Sequence, residues 1–369
     1  MSKKVASLLI RLAFGYLMIQ MIVNAFRAGG WDFPVYHRTA LHLLQGDPIY
    51  DLARDQEASF KYPPWIAPFF LPLSWFSLKV AAPIWQLFQV ACAGMIFLWT
   101  RRHSRHPLTV PLSAVLYYGI FHVNILSGQV QLPLLALALL GYSRIQHSPF
   151  TGFSLLFFSL STKIFNLFSL IGLPRGTLRI PSILGTMTLA GILGIPALMG
   201  FAEGGVFSAL KAYVEVATSK TGNLRGAHQG LPGFFEWLSE IAHFPIPGWV
   251  AFGSSLMIAF FLFLRLKRKI RAQSQIFAVA LALGAAIHPL AFSYSFTWTY
   301  PLGAFAVEHA FLSGTKSLGL RILATLGLFF LLVMQSGLIS DRGILMPNFG
   351  TRAIGTLLLA WVLGSERDD

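Results

Sequence analysis

Cysteine is almost missing from this chain of 369 residues; the one present, Cys92, sits inside an apolar run. An intrachain disulfide and a cysteine-rich zinc site are thereby excluded. Charge is scarce too. Asp, Glu, Lys and Arg make up 11% of the residues, against roughly 25% in soluble domains. Neither a Walker phosphate loop nor a dinucleotide-binding glycine pattern occurs, which removes the common nucleotide-handling sites. There is no internal repeat, no low-complexity tract and no soluble domain.

Apolar sequence is what the chain has in quantity. It is 55% hydrophobic, with a mean hydropathy of +0.64. A bilayer core needs about 20 helical residues to cross it. Runs of that order lie near 5–26, 80–100, 107–125, 128–143, 180–201, 248–265, 272–291, 297–313, 319–339 and 350–364. The run 149–173 is long for one crossing and carries Lys163 in its middle. It reads as two short helices meeting near Lys163 at the outer face. The expected fold is an all-α polytopic membrane protein of about twelve transmembrane helices, within a range of ten to thirteen. The first run has an apolar part too long for a signal peptide and reads as a retained helix.

The net charge is +14, yet nucleic acid is not the expected partner. The basic residues fall in short clusters between apolar runs, such as "RRHSRH", "PRGTLR" and "RLKRKIRAQ". With Lys3 and Lys4 in the cytoplasm, all these clusters fall on the cytoplasmic side, as positive-inside sorting requires. Both termini are then cytoplasmic, and residues 1–369 form a single membrane-embedded unit. Outer segments 27–79 and roughly 202–247 are left to form the rim of a site. Within the first, "PPWIAPFFLPLSWFSL" is short and proline-rich, and is expected to lie along the membrane surface.

The first candidate for chemistry is Asp32, in "GGWDFPVYHR". A carboxylate at the water–lipid boundary can take a proton from a hydroxyl, with its pKa raised by desolvation or held down by Arg38 or Lys61. It can equally be an N-cap for a surface helix running through "VYHRTALHLLQG" to Gly46. Lys163 either faces a cavity or snorkels to the headgroups. Gln129 either meets a ligand or bonds a neighbouring helix. Glu308, beside His309, reads as a helix-end pair at the inner surface. The acids Asp47, Asp51, Asp55 and Glu57 lack calcium-loop spacing and read as a solvated loop.

Several of these stretches resemble glycosyltransferase family 87, the polyprenyl-phosphate-dependent mannosyltransferases of the C-type glycosyltransferase fold. The likeness runs through Asp32, Val35-Tyr36, Ala40, Gly46, Ile49-Tyr50 and Tyr62-Pro63-Pro64. It continues through Gly128, Gln129 and Val130 in "SGQVQL", with Gln131 in place of an asparagine. Lys163 follows in "STKIFNLF", without the family's proline, then Gln229 and Gly233 in "GAHQGLPGFF", with His228 and Gly230 as departures. In "AAIHPLAFSYSFTW" Pro289 and Trp298 match, and the family's histidine pair falls near Tyr294 and Ser295. His288 is the candidate substitute.

The resemblance implies an inverting, metal-independent transferase with Asp32 as catalytic base. It implies substrate-facing roles for Tyr36, Tyr62, Gln129, Lys163, Arg225, His228, Gln229, His288 and Tyr294. No metal or other cofactor is expected; the donor is a polyprenyl-phosphate-linked sugar, and the acceptor a glycan or glycolipid at the outer face of a bacterial inner or plasma membrane. The leaving group is already a phosphate, so no Asp-x-Asp metal motif is required, and "DLARD" spaces its carboxylates too widely to be one. Two rivals stand beside this reading. A secondary transporter calls for inverted repeats and ionisable groups at the bilayer midplane; a non-catalytic envelope-assembly protein calls for neither.

Overall fold

The computed structural model describes residues 3–26, 30–56, 59–174, 176–177, 191, 211–216, 229–288, 293–314, 317–333 and 350–365. These are almost entirely helical. Helix α1 spans Lys3–Ala25 and α2 spans Phe33–Gln45. A 3-10 helix over Pro64–Phe70 leads into α3, Leu78–His103, and α4, Thr109–Ser127. Then come α5, Gln131–Arg144, and α6, Pro149–Thr162, followed by a 3-10 helix over Ile164–Gly172. After Gln229 stand α7, Leu231–Ile241; α8, Gly248–Lys267; and α9, Gln273–Ala286. A 3-10 helix over Ser293–Thr299 enters α10, Tyr300–Val307, which ends in a π-helical turn over Glu308–Leu312. Helix α11, Leu318–Leu328, continues into a π-helical turn over Phe329–Val333, and α12 spans Thr351–Gly364; single helical turns also stand at Leu52–Asp55 and Leu71–Ser74.

Among the described residues, four helices are long and apolar enough to cross a membrane: Lys4–Ala25, Leu78–His103, Thr109–Ser127 and Gly248–Lys267. Other runs split where the sequence suggested single crossings. The run 297–313 is a 3-10 helix, a short α-helix and a π turn in succession. The run 180–201 lies outside the described residues except for Gly191, as do 202–210, 217–228 and 334–349.

Lys163 does mark a break. Its backbone is extended (φ −124°, ψ 90°) between α6 and the following 3-10 helix. Gln273 Nε2 donates to the Gly172 carbonyl at the far end of that segment (2.7 Å). The two arms on either side of Lys163 pack against each other. Each is short: 14 residues of α-helix and 9 of 3-10 helix reach about 20 Å apiece at about 1.5 and 2.0 Å per residue.

The stretch 64–74 stays at one end of the bundle, packed under α2. Tyr36 stacks on Phe70 with ring centres 4.8 Å apart, and His37 Nε2 bonds the Phe76 carbonyl at 3.0 Å. Helix α9 is buried almost throughout, as its all-round apolar sequence requires. Helix α1 instead turns Leu8, Leu12, Tyr16 and Ile19 outward.

The helix ends sort into two layers. One holds the residues flanking Asp32, joined to the C-terminus of α4, and Lys163, over Tyr62. The other, basic layer holds Arg101, Arg102, Arg105 and Arg144, at the opposite ends of α3, α4 and α5, where Trp99 Nε1 donates to Ser143 Oγ (3.0 Å). In that basic layer Glu308 is buried. Its carboxylate accepts from the Arg105 backbone N–H (2.8 Å) and from Thr109 Oγ1 (2.6 Å). It thus satisfies one backbone donor in the turn before α4 and the hydroxyl of the helix's first residue, and ties the end of α10 to α4. Glu308→Ala is expected to lower the thermal midpoint in detergent, with a loss of about 1–3 kcal/mol from the unsatisfied donors; a midpoint equal to wild type contradicts this role.

Candidate active site

The two glycines before Trp31 now have a physical reason at one of their positions. Gly30 adopts φ +67°, and a Cβ there would sit 2.9 Å from the Ser127 carbonyl oxygen. That close approach lets the backbone N–H groups of Trp31 and Asp32 both donate to Ser127 O, at 3.1 and 2.9 Å. Ser127 ends α4, where helix carbonyls lack internal partners and carry partial negative charge. Gly128 completes the joint. It caps α4 at φ +75°, and a Cβ on it would lie 2.7 Å from Phe33 Cβ.

Asp32 occupies the N-cap position of α2, but its side chain makes no capping bond. The first turn of α2 closes through its carbonyl instead, which accepts from Val35 N and Tyr36 N. The carboxylate turns to the Gln129 side chain, which hydrogen-bonds it. The capping reading therefore holds for the backbone and fails for the carboxylate.

Gln129 is buried and oriented by two phenols. Its Oε1 accepts from Tyr62 OH (3.2 Å) and Tyr36 OH (3.5 Å), and the two hydroxyls lie 3.3 Å apart. With its oxygen engaged, the amide presents its N–H to Asp32. Tyr50 OH fixes the Tyr62 carbonyl at 2.7 Å. Lys163 Nζ lies 5.0 Å above the Tyr62 ring, a cation–π contact, and is within electrostatic reach of Asp32. Tyr294 interacts electrostatically with both Asp32 and Tyr62. Its segment hangs on α4 and α5: Asn124 Nδ2 donates to Thr297 Oγ1 (2.7 Å), and Trp298 Nε1 to Gln131 Oε1 (2.7 Å).

Asp32, Tyr36, Tyr62, Gln129, Lys163 and Tyr294, spread over 263 positions of sequence, thus meet in one place. Burial raises the Asp32 pKa above the ordinary carboxylate value, partly offset by the Gln129 hydrogen bond and the Lys163 charge. Burial likewise raises Tyr36 and Tyr62, so both stay protonated donors. The charge acting on Asp32 comes from Lys163 and not from Arg38, which pairs with Asp55 at 3.4 Å. Asp55 also holds Arg54 at 2.9 Å, so this acid is paired instead of solvated.

Of the other candidates, Gln229 and His288 are among the described residues. Gln229 is buried beside the start of α12, its carbonyl accepting from Ala353 N (3.2 Å). His288 follows the end of α9. Arg225, His228 and Pro289 lie outside the described residues. Among the described residues no three His, Cys, Asp or Glu side chains gather closely enough to hold a metal ion. Sequence reading passed over Asn124 and Gln89, both wholly buried at the joint; the available signal was an amide inside an otherwise apolar run. It also passed over Arg352, fully buried in α12.

The sequence pattern of glycosyltransferase family 87 matches residues 60–295. The chain belongs to glycosyltransferase family 87. On that ground it is a membrane glycosyltransferase. The match takes in Tyr62, Gln129, Lys163 and Tyr294, while Asp32 and Tyr36 precede it. No curated protein and no solved structure matches the chain.

The Gly30 joint yields a direct test. Gly30→Ala forces a left-handed alanine, at about 1–2 kcal/mol, against the Ser127 carbonyl. Turnover is expected to fall on the order of 10²-fold, as for a 1 Å misplacement of a reacting group. Wild-type turnover by this variant contradicts the joint's role.

Proposed function

We propose that the chain moves a hexose, with mannose the first candidate, from a polyprenyl-phosphate donor to an extracytoplasmic acceptor hydroxyl, with inversion. The observation that carries this reading is the meeting of one half-buried carboxylate, Asp32, with one half-buried cation, Lys163, beside the buried Tyr62 and Gln129. The reading includes the C-type architecture with about twelve crossings.

Asp32 takes the proton of the acceptor hydroxyl as its oxygen bonds to the sugar's anomeric carbon. The bond from that carbon to the phosphate oxygen breaks on the opposite face, and the electron pair leaves with the phosphate. A single displacement inverts the anomeric configuration. Lys163 is placed to meet the phosphate as its charge grows, and Tyr36, Tyr62 and Gln129 offer hydrogen bonds to sugar or phosphate oxygens. Because the phosphate departs with its charge met by Lys163, the reading needs no metal. Base catalysis supplies about 10²–10⁴-fold; positioning of the two substrates supplies much of the rest.

Two further features support the reading. Beside the cluster, Ile66, Phe69, Phe70, Trp85, Val130 and Phe158 form an apolar wall around a crevice of about 10 Å³, a surface an isoprenoid tail can pack against and a space too small to enclose one. The basic residues crowd the opposite layer, and positive-inside sorting then faces Asp32 away from the cytoplasm.

Purified protein incubated with radiolabelled polyprenyl-phosphate mannose and membrane glycolipid is expected to transfer label. Asp32→Asn, which keeps the shape and removes the base, should cut kcat by about 10²–10⁴-fold. Normal transfer by that variant at equal abundance contradicts the assignment. The pH profile carries a sign. Asp32 acts ionised and its pKa is raised, so kcat/KM falls as pH drops through a value above the ordinary aspartate pKa of about 3.9. A limb at or below that value contradicts the buried environment.

A further inference from the structure

Gln89 lies in the middle of α3, a helix long and apolar enough to span a bilayer, and its side chain is wholly buried. An amide at such depth persists only with partners. In the orientation that satisfies its neighbours, its nitrogen donates to the carbonyls of Gln129 (2.8 Å) and Asn124 (3.1 Å), and its oxygen accepts from Trp85 Nε1 (3.2 Å). The same indole N–H donates to the Gly128 carbonyl at 2.7 Å. Gln89 and Trp85 together therefore grip the carbonyls of Asn124, Gly128 and Gln129, the corner where α4 turns into α5.

That corner does more than join two helices. Ser127 within it holds the Asp32 backbone, and Gln129 presents its side chain to the Asp32 carboxylate. Asn124 holds the segment bearing Tyr294. Gln89 is bonded to the backbone carbonyl of the residue whose side chain meets the Asp32 carboxylate.

We propose that Gln89 is a positioning residue, which fixes the Gln129 peptide so that the Gln129 side chain stays aimed at Asp32. Gln89 does not touch substrate; it acts through Gln129. The inference rests on the reading of Asp32 as the base. The groups facing Asp32 are Gln129, Lys163, Tyr36, Tyr62 and Tyr294. Of these, Gln129 is the one that Gln89 holds directly.

The test replaces Gln89 with methionine, close in size and apolar. Turnover and the pH profile of kcat/KM are measured per folded protein, beside Gln129→Leu, the Gln89→Met/Gln129→Leu double variant and Asp32→Asn. Loss of aim removes the hydrogen bond that favours ionised Asp32, so the acid limb moves to higher pH in Gln89→Met, as it does in Gln129→Leu. Turnover falls by about tenfold or more. The double variant is no worse than Gln129→Leu alone, because both changes remove one interaction. A Gln89→Met acid limb at the wild-type pH, or a double variant carrying both losses in full, overturns the inference and leaves Asp32 as the base. Full activity of Asp32→Asn overturns the base reading itself. Should Gln89→Met fail to fold, Trp85→Phe removes the indole N–H that steadies both Gly128 O and Gln89 while keeping the ring. It is held to the same outcomes.

Discussion

Two backbone N–H groups, those of Trp31 and Asp32, converge on one oxygen at the end of α4. Each bond contributes about 0.5–1.5 kcal/mol net, so the joint is not strong by itself. Its weight is geometric. It docks the strand leading into α2 against the corner that carries Gln129, and so places a carboxylate and its amide partner together although 97 positions separate them. The glycines at 30 and 128 permit the approach. A side chain at either would push the two segments apart.

The rest of the site follows from the cost of polar groups in an apolar bundle. An unpaired buried amide or hydroxyl costs about 2–7 kcal/mol when nothing compensates it. The structure avoids much of that cost by chaining the groups: Tyr50 to the Tyr62 carbonyl, Tyr62 and Tyr36 to Gln129, and Asn124 to Thr297. A chain of this kind leaves few alternative arrangements, and the cluster is held in one geometry before any substrate arrives. Asp32 is then a half-buried carboxylate whose pKa desolvation raises, a better proton acceptor than an exposed one.

Much of this is legible in the sequence, for identifiable reasons. Asp32 stands out as a carboxylate just past an apolar run, and Lys163 as a lone cation within one; physical cost makes both conspicuous. The break at Lys163 is readable from the length of 149–173 and the cation in its middle. The tyrosines come through the family resemblance, and Gln129 through it as well as through being an amide in an apolar run. What was hidden depends on distant partners. Glu308 looks like half of a pair with His309, yet its partners lie about 200 positions earlier, at Arg105 and Thr109. Gln89 and Asn124 are visible as amides in greasy helices, but nothing in their spacing says that both face the same corner. The division of runs into 3-10, α and π segments is hidden too, because tertiary contacts, not propensity, decide it.

The central claim is that Asp32 and Lys163 flank the reacting bond of a lipid-linked sugar. A structure of the protein with a non-hydrolysable polyprenyl-phosphate sugar bound tests it most directly. The account predicts the phosphate within hydrogen-bond reach of Lys163, the anomeric carbon facing the Asp32 carboxylate, and the tail running past Phe70 and Val130. A donor bound at the opposite, basic layer, or with its phosphate remote from Lys163, contradicts it.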